Sequence, residues 1–470
     1  MKYNVVIGLE IHVQMKTKTK MFSCAPVTHG EEPNTKVDYY DFAFPGVMPR
    51  PNKQVVINAI RVCHALHMEI DHILMFDRKN YFYSDLPKGY QITQAFRPIG
   101  RDGFIILNNK KIGIERLHIE EDASKQVHYK DYTLLDYNRA GIPLIEIVTT
   151  PDISSGEEAA KFIENLRRIV SFLGVSDAKM ERGSLRCDIN VSLNNKEDNR
   201  AGTKVEIKNV NTLTGIKQAI DYEIKRQSEI LDKGQKVKQE TRRFSEDSKT
   251  TILMRKKENA IDYKYFFDPN IPPISLSEEF ILDAINNAPE SYESYKNRYL
   301  SLGLNEKDIS ILLSSKEFAD YFEMVIKDCS NYKMVANWMN GEVLSYLNKQ
   351  KMDIFDFNLK PSNLAKLINL VIDDVISIKQ AKEIFAIIIN SDSDPVSIMK
   401  RLGYSQNSDK EELIKIINEV LDDHLDLVED YKNGKDRLVE FFIGQIMKIT
   451  KGRANPSLTN KLLLEELKRR

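Results

Sequence analysis

The segment VIGLEIHVQ, residues 6–14, decides the predicted fold of this chain. Its apolar and polar residues alternate, which is the two-residue period of a strand with one buried face. The apolar members are Leu9, Ile11 and Val13, and the polar members are Glu10, His12 and Gln14. The polar face of a single such strand usually meets water. The segment alone therefore predicts a strand and does not decide between a site and a solvated surface.

Three later segments show the same alternation, namely RLHIEED (116–122), CDINVSL (187–193) and TKVEIKN (203–209). Together the four segments predict one antiparallel sheet that packs on helices through its apolar face, which is an α+β fold. The opposite face would collect carboxylates, histidines and lysines. Clustered carboxylates repel one another unless a cation or a lysine lies among them. On the residues alone, a functional site and a solvated face remain equally open.

Composition sets the broad class of the protein. The chain has 470 residues, 42% of them hydrophobic, which predicts two or three domains with sizeable cores. We expect no membrane segment and a cytoplasmic location, because no apolar run approaches the span of a bilayer. The 4 cysteines include no Cys-x-x-Cys pair, which argues against a thiolate zinc site. The net charge of −1 requires that any nucleic acid be bound by local basic patches.

The pattern of elements changes along the chain. Strands and helices mix up to a boundary predicted near Pro289, and the remainder shows helical spacing of apolar residues. In the first part, Ser154 to Glu157 predicts a capping box before a helix that Gly174 ends. A second helix is expected to stop near Gly234.

Two internal stretches are rich in cations. FDRKNYFYSDLPKGYQ (76–91) also contains aromatic residues and could bind phosphate and stack a base, and ETRRFSEDSKTTILMRKK (240–257) could face phosphates. Ordinary solvated charge runs remain the alternative for both. The chain lacks the phosphate-loop, dinucleotide and nucleophile-elbow motifs, so any use of ATP follows another design. A serine-rich amidase signature is also missing, which predicts that the chain does not release ammonia from glutamine itself.

Eight blocks along the chain resemble the B-subunit family of the bacterial tRNA-dependent aspartyl/glutamyl amidotransferases, and they occur in the order of that family. They are VIGLEIHVQ, FDRKNYFY, LHIEEDASK, NRAGIPLIEIVTTPDI, MERGSLRCDINVSL, EIKNVN, QETRRF and NPSLTNKLL. The blocks cover nearly the whole chain, and so many in one order are far more specific than any single motif. The chain is therefore identified as a member of this family.

The resemblance implies a reaction. A protein of this family uses ATP and Mg²⁺, with Mn²⁺ as an alternative, to phosphorylate the side-chain carboxylate of Glu or Asp misacylated on tRNA(Gln) or tRNA(Asn). Ammonia then displaces the phosphate. The implied partners in a heterotrimer are the A subunit, which is a glutamine-hydrolysing amidase, and a small C subunit. The implied architecture is a cradle-like antiparallel-sheet catalytic domain over 1–290, a helical domain over 291–400 and a small helical tail domain over 401–470 that binds tRNA.

The resemblance also implies roles for individual residues. The implied metal ligands are Glu10, His12 and Glu121. The catalytic acidic set adds Glu120, Asp188 and Glu206. The implied ATP and phosphate contacts are Lys79, Ser184, Arg186, Asn190, Lys208 and Asn209. In the basic C-terminal stretch, the predicted tRNA contacts are Lys451, Arg453, Lys461, Lys468 and Arg469.

Glu121 is at odds with strand parity, because alternation through HIEED would point Glu121 toward the core. We therefore expect the strand to end before Glu121, with the following polar residues forming a turn.

Many members of the family carry two cysteine pairs for zinc near the N-terminus. Here FSCAP (22–26) and VDYYDFAFPG (37–46) leave only Cys24. We expect no zinc and a segment held by packing of Tyr39, Phe42 and Phe44.

Two other classes of function compete with this one. In the first, the chain is a non-catalytic tRNA-binding scaffold with a solvated acidic face. In the second, it is a metal-dependent phosphotransferase or nuclease, which would use the same acids and basic ribbons.

Overall fold

The computed structural model describes residues 2–28, 30–195, 202–256, 262–404, 410–432, 435, 437–450, 454 and 456–470. The chain divides into two compact units, Met1–Tyr292 and Glu293–Arg470. Among the described residues, no helix is long and apolar enough to cross a membrane.

The first unit contains the strands. In chain order they are β1 Tyr3–Gln14, β2 Glu69–Ile70, β3 Ile73–Leu74, β4 Asp77–Asn80, β5 Tyr90–Thr93, β6 Gly100–Leu107, β7 Lys110–Glu121, β8 Lys125–His128, β9 Thr133–Asp136, β10 Pro143–Thr149, β11 Leu185–Asn195, β12 Val205–Val210, β13 Glu240–Ser245, β14 Thr250–Lys256, β15 Phe266–Phe267 and β16 Ile274–Ser275.

The main sheet runs in the order β14-β13-β12-β11-β1-β10-β7-β6-β2. Within the described part of the chain its pairs are antiparallel except for β12 and β13, which run parallel. The four alternating segments lie in β1, β7, β11 and β12, so the predicted antiparallel sheet and the α+β class are confirmed. β1 lies in the middle of the sheet, between β10 and β11, and this position gives its polar residues neighbours on both sides.

Four α-helices are described in the first unit, namely α1 Lys53–Ala65, α2 Gly156–Phe172, α3 Leu213–Asp232 and α4 Glu278–Asn286. The apolar face of the sheet packs on them. Ile11 of β1, Ile147 of β10 and Ile119 of β7 are fully buried in one core together with Leu166 of α2 and Ile216 of α3. Burial of each such side chain contributes roughly 1.5–3 kcal/mol to folding. This core fixes which strand residues face away from the helices.

The predicted helix ends are correct with one exception at the start of α2. Ser155 is the N-cap, and its hydroxyl accepts a hydrogen bond from the Glu158 backbone N–H at 3.2 Å. The Glu158 carboxylate accepts from the Ser154 backbone N–H at 2.8 Å. The predicted capping box from Ser154 to Glu157 is therefore wrong by one residue, since two serines followed by two glutamates fit the motif in either register. Glu157 instead pairs with Lys217 on the surface.

The second unit is helical. Its helices are α5 Tyr292–Ser301, which begins at the last residue of the first unit, α6 Glu306–Leu312, α7 Lys316–Ile326, α8 Tyr332–Trp338, α9 Leu344–Gln350, α10 Pro361–Ile372, α11 Ile378–Ile388, α12 Pro395–Arg401, α13 Lys410–Asp422, α14 Leu425–Lys432, α15 Leu438–Ile449 and α16 Pro456–Arg469. A core including Leu413, Ile417, Phe442 and Leu463 joins α13, α15 and α16. The predicted boundary at residue 400 stays a prediction.

The segment after β1 is stabilised by a buried ion pair. Lys20 Nζ lies 2.9 Å from Asp41 Oδ2, and both side chains are almost completely buried. The expected packing of aromatic rings is also present, since the ring centroids of Tyr39 and Phe44 lie 5.3 Å apart and those of Phe42 and Phe44 6.4 Å apart, although Tyr39 and Phe44 are exposed at the surface. The Lys20 ammonium also donates to the backbone carbonyl of Tyr137 at 3.2 Å, so the ion pair is joined to a second segment of the chain.

We expect Lys20→Met to destabilise the first unit by about 3–5 kcal/mol, because it leaves the Asp41 carboxylate buried without a cation. Lys20→Met combined with Asp41→Asn should regain at least half of the loss, since the amide has no charge and can still accept from the Asp38 backbone N–H. Urea unfolding followed by circular dichroism measures both effects. Fluorescence of Trp338 in the second unit serves as an internal reference. Equal stabilities of the single and double variants would contradict the prediction.

Candidate functional site

Three neighbouring strands bring five ionisable side chains together on the face of the sheet opposite the core. In the register of the sheet, His12 of β1 lies opposite Glu146 of β10, and Glu146 lies opposite His118 of β7. Glu10 lies two residues before His12 on β1, and Glu120 lies two residues after His118 on β7. Both therefore point to the same face as these histidines. We call Glu10, His12, His118, Glu120 and Glu146 the Glu/His cluster.

The histidines of the Glu/His cluster lie between the carboxylates. His12 Nε2 is 3.3 Å from Glu120 Oε1 and 3.3 Å from Glu146 Oε2. His118 Nε2 is 3.3 Å from Glu146 Oε2 and 3.6 Å from Glu120 Oε2. Each imidazole therefore contacts both carboxylates, and all four side chains are largely buried from solvent. Positive charge on these histidines compensates the buried negative charge.

The pKa values reflect this compensation. Burial opposes a charged imidazole, but the carboxylates of Glu146 and Glu120 outweigh it and raise the pKa of His118 to about 9. The same carboxylates raise the pKa of His12 well above its usual range. Burial would raise the pKa of Glu120, but the two histidines lower it to about 2, and they lower that of Glu146 against burial as well. Burial and the neighbouring Glu146 carboxylate raise the pKa of Glu10.

The donor atoms of the Glu/His cluster fit a divalent cation. One donor atom each of Glu10, His12 and Glu146 lie within 4.8 Å of one another, and the same holds for His118, Glu120 and Glu146. Two donors opposite each other across Mg²⁺ are about 4.2 Å apart, so these groups are close to coordinating distances. Carboxylate oxygens suit Mg²⁺, and imidazole nitrogen with oxygen also suits Mn²⁺. Glu146 belongs to both groups and is the residue they share.

The Glu/His cluster lies in a cleft of about 690 Å³. The cleft is lined by Glu10, His118, Glu120 and Glu146 of the cluster and by Lys79, Thr93, Ala95, Phe96, Pro98, Arg101, Asp102, Glu115, Arg116 and Tyr265. Burial disfavours the charged form of Lys79, but the carboxylates of Glu120 and Glu146 outweigh it and keep its pKa raised. Among the described residues, no carboxylate lies within ion-pair distance of Lys79 Nζ. The cleft therefore offers an ammonium group beside the acidic cluster.

A second charged group adjoins Glu10 on the other side of β1. Asp188 of β11 lies opposite Glu10, and the Lys208 ammonium contacts Asp188 and lies 3.2 Å from Glu206 Oε1. The Thr241 hydroxyl donates to Glu206 at 2.9 Å. Burial would lower the pKa of Lys208, but these carboxylates raise it. Predicted residues Asp188, Glu206 and Lys208 thus form a compensated group next to the cluster.

The expectation that the strand ends before Glu121 is wrong, because β7 continues through Glu121. Its side chain therefore points away from that of Glu120, as parity requires. The Glu121 carboxylate accepts from Lys88 Nζ at 2.6 Å and from the Ile92 backbone N–H at 3.1 Å. The structure does not bring Glu121 together with Glu10 and His12, and Glu146 occupies the place predicted for it.

The other predicted nucleotide contacts do not line the cleft in the described part of the chain. The Arg186 guanidinium donates to Asp122 Oδ2 at 2.7 Å, and Ser184 is buried just before β11. Asn190 lies on β11 two residues beyond Asp188, and Asn209 is exposed with a φ of 61°. Their roles in nucleotide binding stay predictions.

Of the predicted tRNA contacts, Lys461, Lys468 and Arg469 are exposed on α16, where Arg469 also pairs with Glu466 at 2.7 Å. Lys451 and Arg453 lie outside the described residues.

Sequence reasoning missed Glu146 and did not assign His118. Glu146 lies in IPLIEIV (142–148), where apolar residues occupy both faces of β10 and hide the alternation. The available signal was a single acidic residue inside a strand-like apolar run, since a buried carboxylate needs a partner.

Comparison with known proteins covers the whole chain. Residues 5–282 match the family described as GatB/GatE catalytic domain, and residues 320–467 match the GatB domain. The B subunit of the aspartyl/glutamyl-tRNA(Asn/Gln) amidotransferase of Lactiplantibacillus plantarum is 45% identical over 475 residues, which span 100% of both chains. The proteins of the same name from Bacillus cereus and Enterococcus faecalis are 46% identical, again over 100% of both chains.

We expect Glu146→Gln to weaken Mn²⁺ binding by at least about tenfold, because it removes the charge of the ligand that both donor groups share. Glu69→Gln is the matched control, since Glu69 is exposed on β2 of the same sheet. Isothermal titration with Mn²⁺ measures both variants. An unchanged affinity in Glu146→Gln would exclude Glu146 as a ligand.

Metal binding is expected to strengthen as pH rises toward 9. The raised pKa values of His12 and His118 keep these imidazoles protonated at neutral pH, so protons compete with the cation for the ring nitrogens. Affinity should rise by roughly tenfold per pH unit for each proton displaced. Titration in two buffers of different ionisation enthalpy counts the protons released. Binding without proton release would show that neither histidine is a ligand.

Proposed function

The chain belongs to the family of aspartyl/glutamyl-tRNA(Asn/Gln) amidotransferase B subunits, and on this basis we propose that it catalyses ATP-dependent amidation of an amino acid carried by a misacylated tRNA. The substrates are Glu-tRNA(Gln), Asp-tRNA(Asn) or both, and the products are Gln-tRNA(Gln) and Asn-tRNA(Asn). The observation that carries the proposal is the Glu/His cluster with Lys79 in one cleft.

The chemistry requires an activated carboxyl group, because ammonia does not displace the oxygen of a carboxylate. An oxygen of the substrate carboxylate attacks the γ-phosphorus of ATP, the bond to the β-phosphate oxygen breaks, and ADP leaves. Ammonia then attacks the acyl carbon, the C–O bond to the phosphate breaks, and the amide forms as the attacking nitrogen loses a proton. Both steps gather negative charge in one place and need cations around it.

The residues of the cleft can compensate the negative charge that develops in both steps. Glu10, His12 and Glu146, with Glu120 beside them, would hold Mg²⁺ or Mn²⁺. When bound, that cation neutralises charge on the triphosphate. The Lys79 ammonium keeps its proton because the Glu120 carboxylate raises its pKa. The transferring phosphoryl group would lie against this positive charge. The burial of most of the cluster limits water, which would otherwise hydrolyse an acyl phosphate.

The proposal includes partners. A glutamine-hydrolysing A subunit would supply the ammonia, and a small C subunit would complete a heterotrimer in the cytoplasm. The exposed Lys461 and Lys468 of α16 would contact tRNA phosphates. The relatives are named as B subunits, which supports an assembly of several chains.

The decisive assay is conversion of labelled Glu-tRNA(Gln) to Gln-tRNA(Gln) by the reconstituted complex with ammonium in place of glutamine, with and without ATP. Ammonium bypasses the amidase, so the assay reports on this chain. We expect an absolute requirement for ATP and a loss of at least about 100-fold in Glu10→Gln and Glu146→Gln. Binding of tRNA should remain, because these substitutions remove charge from the cleft and not from α16.

Glu69→Gln controls for the charge change and should retain full activity. Wild-type rates in both cluster variants would contradict the proposal and favour the tRNA-binding scaffold. Cleavage of uncharged tRNA in the absence of ATP would favour the nuclease alternative.

A further inference from the structure

Asp77 is a buried carboxylate to which the proposed reaction assigns no role. It lies on β4 and is only 1% exposed. Its Oδ2 accepts a hydrogen bond from the Phe96 backbone N–H at 2.9 Å. Its Oδ1 is also buried and has no hydrogen-bond partner among the described residues. Leaving a buried carboxylate oxygen unpaired is costly, so Oδ1 requires a donor nearby.

His118 of the Glu/His cluster has the complementary atom. Its Nε2 contacts the carboxylates of Glu120 and Glu146. Its Nδ1, on the other side of the ring, is buried without a hydrogen-bond partner in the part of the chain that the structure describes. The imidazole carries a hydrogen on Nδ1 both when it is charged and when Nε2 binds a cation. Nδ1 is therefore a donor that requires an acceptor.

The fold brings Asp77 close to the part of β7 that carries this histidine. β4 is the middle strand of the sheet β15-β4-β5, and Asp77 lies opposite Thr93 of β5. Opposite residues share one face of a sheet, and the Thr93 hydroxyl lies 3.5 Å from Glu120 Oε2. β5 continues into Gln94, whose side-chain oxygen accepts from the Ile119 backbone N–H at 2.9 Å. Asp77 therefore lies beside residues 118–120 of β7.

Electrostatics agree with this placement. Burial raises the pKa of Asp77, and the positive charge of His118 lowers it. No direct hydrogen bond joins the two side chains, because Asp77 Oδ1 and His118 Nδ1 both lack a partner among the residues described. A buried water molecule can accept from a donor and donate to an acceptor at the same time. One water would therefore satisfy both atoms.

We propose that Asp77 is a positioning residue, whose Oδ1 receives the hydrogen bond of His118 Nδ1–H through one buried water. This contact would fix the plane of the imidazole and hold its Nε2 toward Glu120 and Glu146. The inference rests on the proposed function, in which these carboxylates serve the metal, and it adds a support behind them. Asp77 itself is not among the residues that line the cleft. Loss of a comparable support behind a metal-site histidine costs about 10- to 100-fold in metal affinity.

The first test observes the ring nitrogen in the full chain without metal, ATP or tRNA. With ¹⁵N-labelled histidine, we expect a downfield Nδ1–H proton signal that exchanges slowly with water and is absent in His118→Gln, which assigns it. Asp77→Asn should move this signal upfield and speed its exchange. In that variant the amide oxygen keeps the bond to the Phe96 N–H, and the amide NH₂ group meets the water as a second donor. A water between two donors has no acceptor for its own hydrogens.

The second test is a double-mutant cycle that measures Mn²⁺ affinity of the reconstituted complex by isothermal titration. We expect Asp77→Asn to weaken binding on the order of tenfold when His118 is present. The same substitution should change the affinity by less than about twofold in His118→Gln, because a residue that acts through His118 has no effect without it.

Asp268→Asn is the matched control. Asp268 is a carboxylate that is 4% exposed and pairs with Arg78 of β4 at 2.8 Å, so it tests loss of a buried charge beside the same strand. It should leave both the Nδ1–H signal and the Mn²⁺ affinity unchanged.

An upfield and rapidly exchanging Nδ1–H signal in the wild-type chain would overturn the inference, even if Asp77→Asn does not fold. Equal effects of Asp77→Asn with and without His118, or effects of the same size in Asp268→Asn, would also overturn it. A wild-type complex that shows the expected signal but forms no amide with ATP would support the inference and contradict the proposed function.

Discussion

The contact of two histidines with two buried glutamates is the interaction on which the rest of the site depends. Glu120 and Glu146 lie close together away from solvent, where two carboxylates without compensation would be strongly unfavourable. His12 and His118 each lie within 3.6 Å of both carboxylates and balance their charge. The same ring nitrogens and carboxylate oxygens are the groups that would bind a divalent cation. Protons and a metal ion would therefore compete for the same cluster.

The register of the central strands determines the positions of the side chains in the Glu/His cluster. Ile11, Ile119 and Ile147 pack on the helices from the same strands that carry the charged side chains on the opposite face. A shift of one residue in any of these strands would bury a charge and expose an isoleucine. The large apolar core thus fixes the positions of the charged groups. The packing that stabilises the sheet also sets the geometry of the site.

Period-two alternation predicted the four strands and placed Glu10, His12 and Glu120 on one face, because one buried face leaves a clear pattern. The alternation did not identify Glu146, since β10 has apolar residues on both faces and shows no alternation. Glu121 was misplaced because a turn was expected where β7 continues. The burial of Lys20 against Asp41 depends on a contact across 21 residues, which no local pattern encodes. The two-residue alternation of a segment thus predicts a strand and its buried face. Contacts between residues on different strands require the structure.

The central claim is that this cleft activates a carboxylate as an acyl phosphate, and transfer of oxygen tests it most directly. Glu-tRNA(Gln) labelled with ¹⁸O in the side-chain carboxylate is converted by the reconstituted complex with ATP and ammonium, and the inorganic phosphate is analysed by mass spectrometry. The account predicts one ¹⁸O in the phosphate for each amide formed, because the oxygen that attacks phosphorus leaves with it. Amide formation with unlabelled phosphate would contradict it.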